Sequence, residues 1–177
     1  MAIKRIPLRL APVVESRSEA NAYLHQTGDA VLVIRGSPRL LMLKCPCGCG
    51  ENYAINLDSR AGKAWRLYRD KANTLTIYPS VWRDTGCQSH YIVRRNTIFL
   101  FHSNDDYDAT QPSQEVLDLC KKLLMVWPLH GYHSYEQIAE QLGVIPWDAQ
   151  EACMELVQRG QLVRGLGRSS GMFARRD

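Results

Sequence analysis

Over the first hundred positions, apolar and β-branched residues come in short bursts separated by turn formers. The bursts fall at residues 8–14, 30–35, 39–44, 53–57, 64–68, 74–78, 91–95 and 97–101. Runs of this length, rich in Val, Ile, Thr and Tyr, predict strands. Gly36, Ser37 and Pro38 mark a turn between the second and third, and Asn96, a residue type that tolerates positive φ, marks a tight turn between the last two. One short helix is expected at residues 17–26, with Ser16 as its N-cap and Glu19 three positions on. So many short strands at close spacing predict a meander or small open barrel.

After residue 112 the period changes from two to about 3.6. Ser113 can cap a helix reaching Val126, whose stripe is Val116, Leu117, Cys120, Leu123 and Leu124. Ser134 and Gln137 form a capping-box pattern that opens a second helix over 135–142, and Gly143 stops it. A third helix is expected from Pro146 to about Arg159, ended by Gly160. Residues 161–166 and 172–175 then read as two strands around a Gly- and Ser-rich turn. Helix, helix, turn, helix and hairpin is the order of a winged helix-turn-helix. The fold class expected is therefore α+β: a strand-rich domain over 1–104, a polar linker over 105–112, and a winged helix-turn-helix over 113–177.

Charge sharpens the division. Residues 1–112 hold 15 Lys and Arg against 10 Asp and Glu, while residues 113–177 hold 7 against 8. The basic excess of the first part is too mild to define a nucleic-acid-binding protein by itself. No apolar run is long enough to span a bilayer and the N-terminus lacks a signal-peptide core, so a cytoplasmic protein with reduced thiols is expected.

The cysteines carry the most specific chemistry. Cys45, Cys47 and Cys49 lie together among glycines, and Cys87 precedes His90 by three positions. Clustered thiols in a reducing compartment point to metal rather than disulfides. A structural zinc takes four thiolate or imidazole ligands in a tetrahedron. Cys45, Cys47, Cys49, Cys87 and His90 are five candidates for four positions, and Gly48 and Gly50 allow the curl that brings thiolates together. One structural Zn²⁺ is expected. A catalytic zinc would need an open position and a carboxylate base, for which Glu51 is the adjacent candidate. No catalytic set is assigned. Cys120 and Cys153 fall on apolar helix faces and read as core.

Trp82 and Arg83 are candidate partner-binding residues, since Trp and Arg are favoured at interface hot spots. On the third C-terminal helix, Trp147, Glu151 and Glu155 are the corresponding candidates; with Asp148 the two glutamates make one face acidic. That acidity disfavours the usual insertion of this helix into DNA. Arg164, Arg168, Arg175 and Arg176 around the final hairpin could instead hold phosphate, in an alternative DNA-binding reading.

The stretch from Lys44 to Phe101 resembles a bacterial and phage family of small proteins. The resemblance rests on Cys-Pro-Cys-Gly-Cys-Gly at 45–50, Pro-Ser-Val-Trp-Arg at 79–83, and Gly-Cys-Gln-Ser-His-Tyr at 86–91. Members of that family are often encoded beside bacterial ubiquitin-like systems that contain a multi-ubiquitin-like protein, a ThiF-type activating enzyme with a conjugating-enzyme-like domain and, in some cases, a metalloprotease. The resemblance implies a zinc-binding accessory or adaptor role in ubiquitin-like modification or antiphage defence. It implies partners among the activating or conjugating enzymes or the ubiquitin-like protein, with DNA a lesser alternative and no membrane. It also implies metal ligation by Cys45, Cys47, Cys49, Cys87 and His90. A DNA-binding regulator and a zinc-dependent hydrolase are the competing expectations.

Overall fold

A computed structural model describes residues 4–101 and 112–176. The chain divides into two compact units, Met1–Tyr107 and Asp108–Asp177. Most of the expected linker, 105–111, lies outside the described residues.

The first unit is strand-rich. Its elements are β1 (Lys4–Pro7), β2 (Arg9–Leu10), α1 (Arg17–Asn21), β3 (Asp29–Arg35), β4 (Ser37–Lys44), β5 (Asn52–Asn56), β6 (Arg66–Arg69), β7 (Leu75–Trp82), β8 (His90–Arg94) and β9 (Thr97–Phe101). They form two sheets, each built around a meander. One has the order β1-β9-β8-β7-β6 and the other β2-β3-β4-β5, where β2 joins β3 in parallel. The expected first strand at 8–14 is reduced to the two residues of β2 and an isolated bridge at Val14, both on β3, while β1, which pairs with β9, precedes it and was not expected.

The turns follow local chemistry. Arg95 and Asn96, both at positive φ, make a two-residue hairpin turn, and the Asn96 side chain accepts a hydrogen bond from Leu75 N. Helix α1 is half its expected length. Ser16 caps it, accepting from Glu19 N, but its apolar contribution ends with Ala20. Strand β7 runs four residues further than expected, through a cis Tyr78–Pro79 bond and a register shift before Val81. Pro79 is exposed, as an irregular strand position allows.

The core of this unit includes Ile6, Leu32, Leu41, Leu43, Ile55, Leu75, Ile77, Tyr91, Val93 and Ile98, all buried. Each large side chain buried this way contributes roughly 1.5–3 kcal/mol against leaving it in water. The unit therefore has a sizeable apolar core of its own beside any metal.

The second unit holds α2 (Gln114–Val126), β10 (His133–Ser134), α3 (Tyr135–Leu142), α4 (Pro146–Gln158), β11 (Leu162–Arg164) and β12 (Met172–Arg175). Ser113 and Ser134 accept from Val116 N and Gln137 N, and Gly143 closes α3 at φ 63°. Helices α2 and α4 bury Leu119, Leu123, Ala152, Cys153 and Leu156. The three-stranded sheet has the order β10-β12-β11. The strand β10 was not legible in the sequence: His133 and Ser134 pair with Phe173 and Met172, and the same serine caps α3. Among the described residues, no helix is long and apolar enough to cross a membrane.

Candidate metal centre

Two loops build the site. The first joins β4 to β5. Cys45 N donates to Glu51 O at 2.9 Å, Gly48 N donates to Cys45 O at 3.3 Å, and Lys44 Nζ donates to Gly50 O at 2.6 Å. These bonds fold six residues into a knuckle with Gly48 and Gly50 at positive φ. The second joins β7 to β8, from opposite sheet, and is closed by Arg83 N donating to Ser89 O at 3.0 Å. The loops meet at their cysteines.

The sulfurs of Cys45, Cys47, Cys49 and Cys87 all lie within 4.8 Å of one another. Cys45 Sγ is 3.3 Å from Cys47 Sγ and 3.6 Å from Cys87 Sγ. A tetrahedron with Zn–S bonds of about 2.3 Å has sulfurs about 3.8 Å apart. The donor set therefore fits one metal ion, and four soft thiolates in a tetrahedron suit zinc. Four thiolates fill the tetrahedron and leave no position for water, which suits a structural rather than a catalytic metal.

His90 is outside this group. Its ring stacks on Trp82 at 5.0 Å and on Phe101 at 5.1 Å between centroids. The reason is strand alternation. His90 is the first residue of β8, directly opposite Trp82, so its side chain takes the sheet face opposite to that of Tyr91 and the core. Burial lowers the His90 pKa, which keeps the ring neutral near pH 7.

Arg83 corrects the expectation of an exposed Trp–Arg pair. Trp82 is 66% exposed but Arg83 is 7% exposed. One Arg83 nitrogen, Nη1, lies 3.2 Å from Cys87 Sγ and 3.6 Å from Cys45 Sγ, and Nη2 meets Glu51 at 2.7 Å. Its guanidinium also covers the Tyr53 ring at 4.9 Å. A divalent ion with four thiolates carries a double negative charge, and Arg83 offsets part of it where little water reaches. Gly86 leaves room for this arrangement: a Cβ there would lie 3.1 Å from Glu51 Oε2 and 3.2 Å from Arg83 Nη2.

Ser89, assigned no role from the sequence, also faces the cluster. It is buried, and its Oγ lies 3.3 Å from Cys87 Sγ and 3.7 Å from Cys45 Sγ. Burial pushes the Cys87 thiol up, but hydrogen bonds from Ser89 and from the neighbouring thiols outweigh it and bring Cys87 down to about 6. Burial also pushes Cys47 well up. The signal for both residues was their spacing: Arg83 stands four positions before Cys87 and Ser89 two after.

The remaining candidates lie in the second unit. Trp147 and Glu151 are half-buried, and Glu155 is 13% exposed and paired with Arg159 at 2.6 Å. Arg164, Arg168 and Arg176 are exposed. Arg175 is withdrawn from the surface set, since its guanidinium donates to Leu124 O. Cys120 and Cys153 are buried at 3% and 0% exposure.

The fold and site define a two-unit α+β protein: a strand-rich unit with a tetracysteine metal centre, then a unit of helices and a small sheet. Residues 16–101, just under half of the chain, match the family described as bacterial ubiquitination-like system serine protease (BubE). The matched span includes all four cysteines, Arg83, Ser89 and His90. No curated protein and no solved structure matches the chain significantly.

Proposed function

We propose that this chain works in a bacterial ubiquitin-like modification system as a serine peptidase acting on the ubiquitin-like protein, with its zinc purely structural. The family match over the residues that build the metal centre carries this reading. A serine peptidase needs a hydroxyl and a neutral base within reach of it. His90 is that base: burial keeps it neutral, and it sits beside the exposed Trp82. Among the described residues no serine hydroxyl is hydrogen-bonded to a histidine ring, so the nucleophile is chosen by position. Ser89 is buried against sulfur. Ser80, two residues before Trp82 on β7, is half-exposed and lies in the irregular stretch of the strand that leads into the Trp82–His90 pair. Such contacts commonly tighten only when substrate binds.

The test is incubation of the zinc-loaded chain with a ubiquitin-like protein bearing a C-terminal extension, read by intact mass. The expected result is release of the extension, abolished in Ser80→Ala and His90→Ala with zinc content unchanged. An intact precursor would overturn the peptidase reading.

A second reading, a non-catalytic adaptor, is favoured by the large exposed surface of Trp82 and the missing serine–histidine bond. It predicts a discrete complex with the activating or conjugating enzyme and no cleavage. In both readings the second unit is a winged helix that docks on protein. Its α4 is acidic and only three of the four arginines near its hairpin are exposed, so duplex DNA binding is expected to be absent at physiological salt.

A further inference from the structure

Away from the metal centre, the first unit has a cleft of about 490 Å³. Arg17, Arg35 and Arg39 rim it, and Val33, Leu40 and Ala61 supply apolar surface. Three arginines around a largely apolar hollow are unusual, because guanidinium groups gain most when they meet an anion.

The charges inside the cleft do not cancel. Among the described residues Asp58 is the one carboxylate that lines it, and Asp58 is already held by Arg39 and by Arg60. The Asn56 amide is also spent: Nδ2 donates to Asp58 O and Lys63 O, and Oδ1 accepts from Asp58 N. Arg35 uses only Nε, which donates to Glu15 O at 2.7 Å, and Arg17 makes no side-chain hydrogen bond among the described residues. The nearest acids in sequence do not answer them. The Glu19 carboxylate is bound by Ser16 Oγ at 2.5 Å and by Glu15 N at 3.4 Å, and neither Glu15 nor Glu19 lines the cleft. Arg39 Nε is buried with no partner. Two guanidinium groups are thus left with free donors over an apolar floor.

We propose that this cleft binds a peptide carboxylate, with Arg17 and Arg35 gripping the two oxygens and Val33 and Leu40 receiving a small apolar side chain beside it. Carboxylate is favoured over phosphate because the hollow sets apolar surface beside the guanidinium groups, which suits a peptide end carrying an apolar side chain. The proposal stands apart from the peptidase reading, since the cleft shares no residue with the metal centre or with His90 and Ser80.

The test uses the full zinc-loaded chain and three N-acetylated alanine-rich peptides, titrated by calorimetry at low salt. One ends in a free carboxylate, one is amidated, and one is amidated but carries an internal Asp; inorganic phosphate is a fourth probe. The expected result is binding of the free-carboxylate peptide that weakens roughly tenfold or more in Arg17→Gln and in Arg35→Gln, and on amidation. Both arginines are exposed, so their variants fold, and unchanged zinc content checks this. Binding of the internal-Asp peptide alone would support a side-chain carboxylate as ligand. Equal binding of the plain amidated peptide, no effect of either variant, no binding of any peptide, or binding of phosphate alone would overturn the proposal.

Discussion

The two units use the same residue in opposite ways. In the first, four cysteines stand on loops, with sulfurs that face one another and an arginine. In the second, Cys120 and Cys153 lie inside a helical core, where burial raises both thiols and the Cys120 sulfur meets Ala152 O at 3.5 Å. Composition does not separate these roles; backbone does. Alternate cysteines among positive-φ glycines can converge, whereas a cysteine in a helix stripe packs like a small hydrophobe. The first unit is therefore fastened by chemistry at its loops as well as by its core, and the second by packing alone.

The largest expected effect breaks the fastening. Chelation of the metal, or Cys87→Ser, removes the tie between the β4–β5 and β7–β8 loops. Structural zinc contributes several kcal/mol or more to folding, with apparent binding of about 10–16 kcal/mol in the smallest zinc domains. The N-terminal transition in calorimetry should fall by tens of degrees while the C-terminal one stays within a degree or two. A single unchanged transition would show that the loops need no metal.

The converse substitution is Leu156→Ala. Leu156 is 1% exposed in the α4 core, and losing it should cost about 2–5 kcal/mol in the second unit. Zinc stoichiometry should remain one per chain. If zinc were lost as well, the two units would not be independent in the way their separate cores suggest.

How much of this was legible follows the same division. The second unit was read nearly residue by residue, because helix caps and stops are local: Ser113, Ser134, Pro146 and Gly143 act within one turn. Its missed strand, β10, is two residues long and exists only by pairing with β12, which no local pattern encodes. In the first unit most strands were legible, β1 at Lys4–Pro7 excepted, but their assembly into two sheets was not, since partner choice is a long-range matter. At the site, the cysteines were visible as a cluster. The place of His90 was not, because it depends on which face of β8 looks toward the loops, and that depends on register with Trp82. Arg83 was misjudged for a related reason. Arginine is usually exposed, and only the approach of the other loop buries it.

A smaller effect sharpens the description of the fastening. Gly86→Ala adds a Cβ at φ 67°, within 3.1–3.2 Å of Glu51 and Arg83. Both neighbours are side-chain ends that can shift, so the cost should be about 1–2 kcal/mol, mostly backbone strain. Zinc should still bind, but its release to a chelator should quicken severalfold as the Arg83–Glu51 pair loosens. Unchanged release would mean that Arg83 does not help to retain the ion.

The smallest effect is a pH dependence confined to the first unit. Hydrogen bonds from Arg60 hold Asp58 down to about 2, outweighing burial, and Arg39 adds to them. A carboxyl whose folded pKa lies below its unfolded value near 3.8 stabilises the fold above that value, and loses this contribution as pH falls from about 4 toward 2. Replacing Asp58 by Asn removes the titrating group, so the variant should be less stable than the parent at pH 6. Between pH 4 and 2 the difference should shrink. Metal release confounds the same range, because protons displace zinc from thiolates. The comparison is therefore made on metal-free protein, with the C-terminal transition as an internal standard that the substitution should leave in place. A difference between variant and parent that stayed constant down to pH 2 would assign the Asp58 contribution to its hydrogen-bond geometry rather than to its charge.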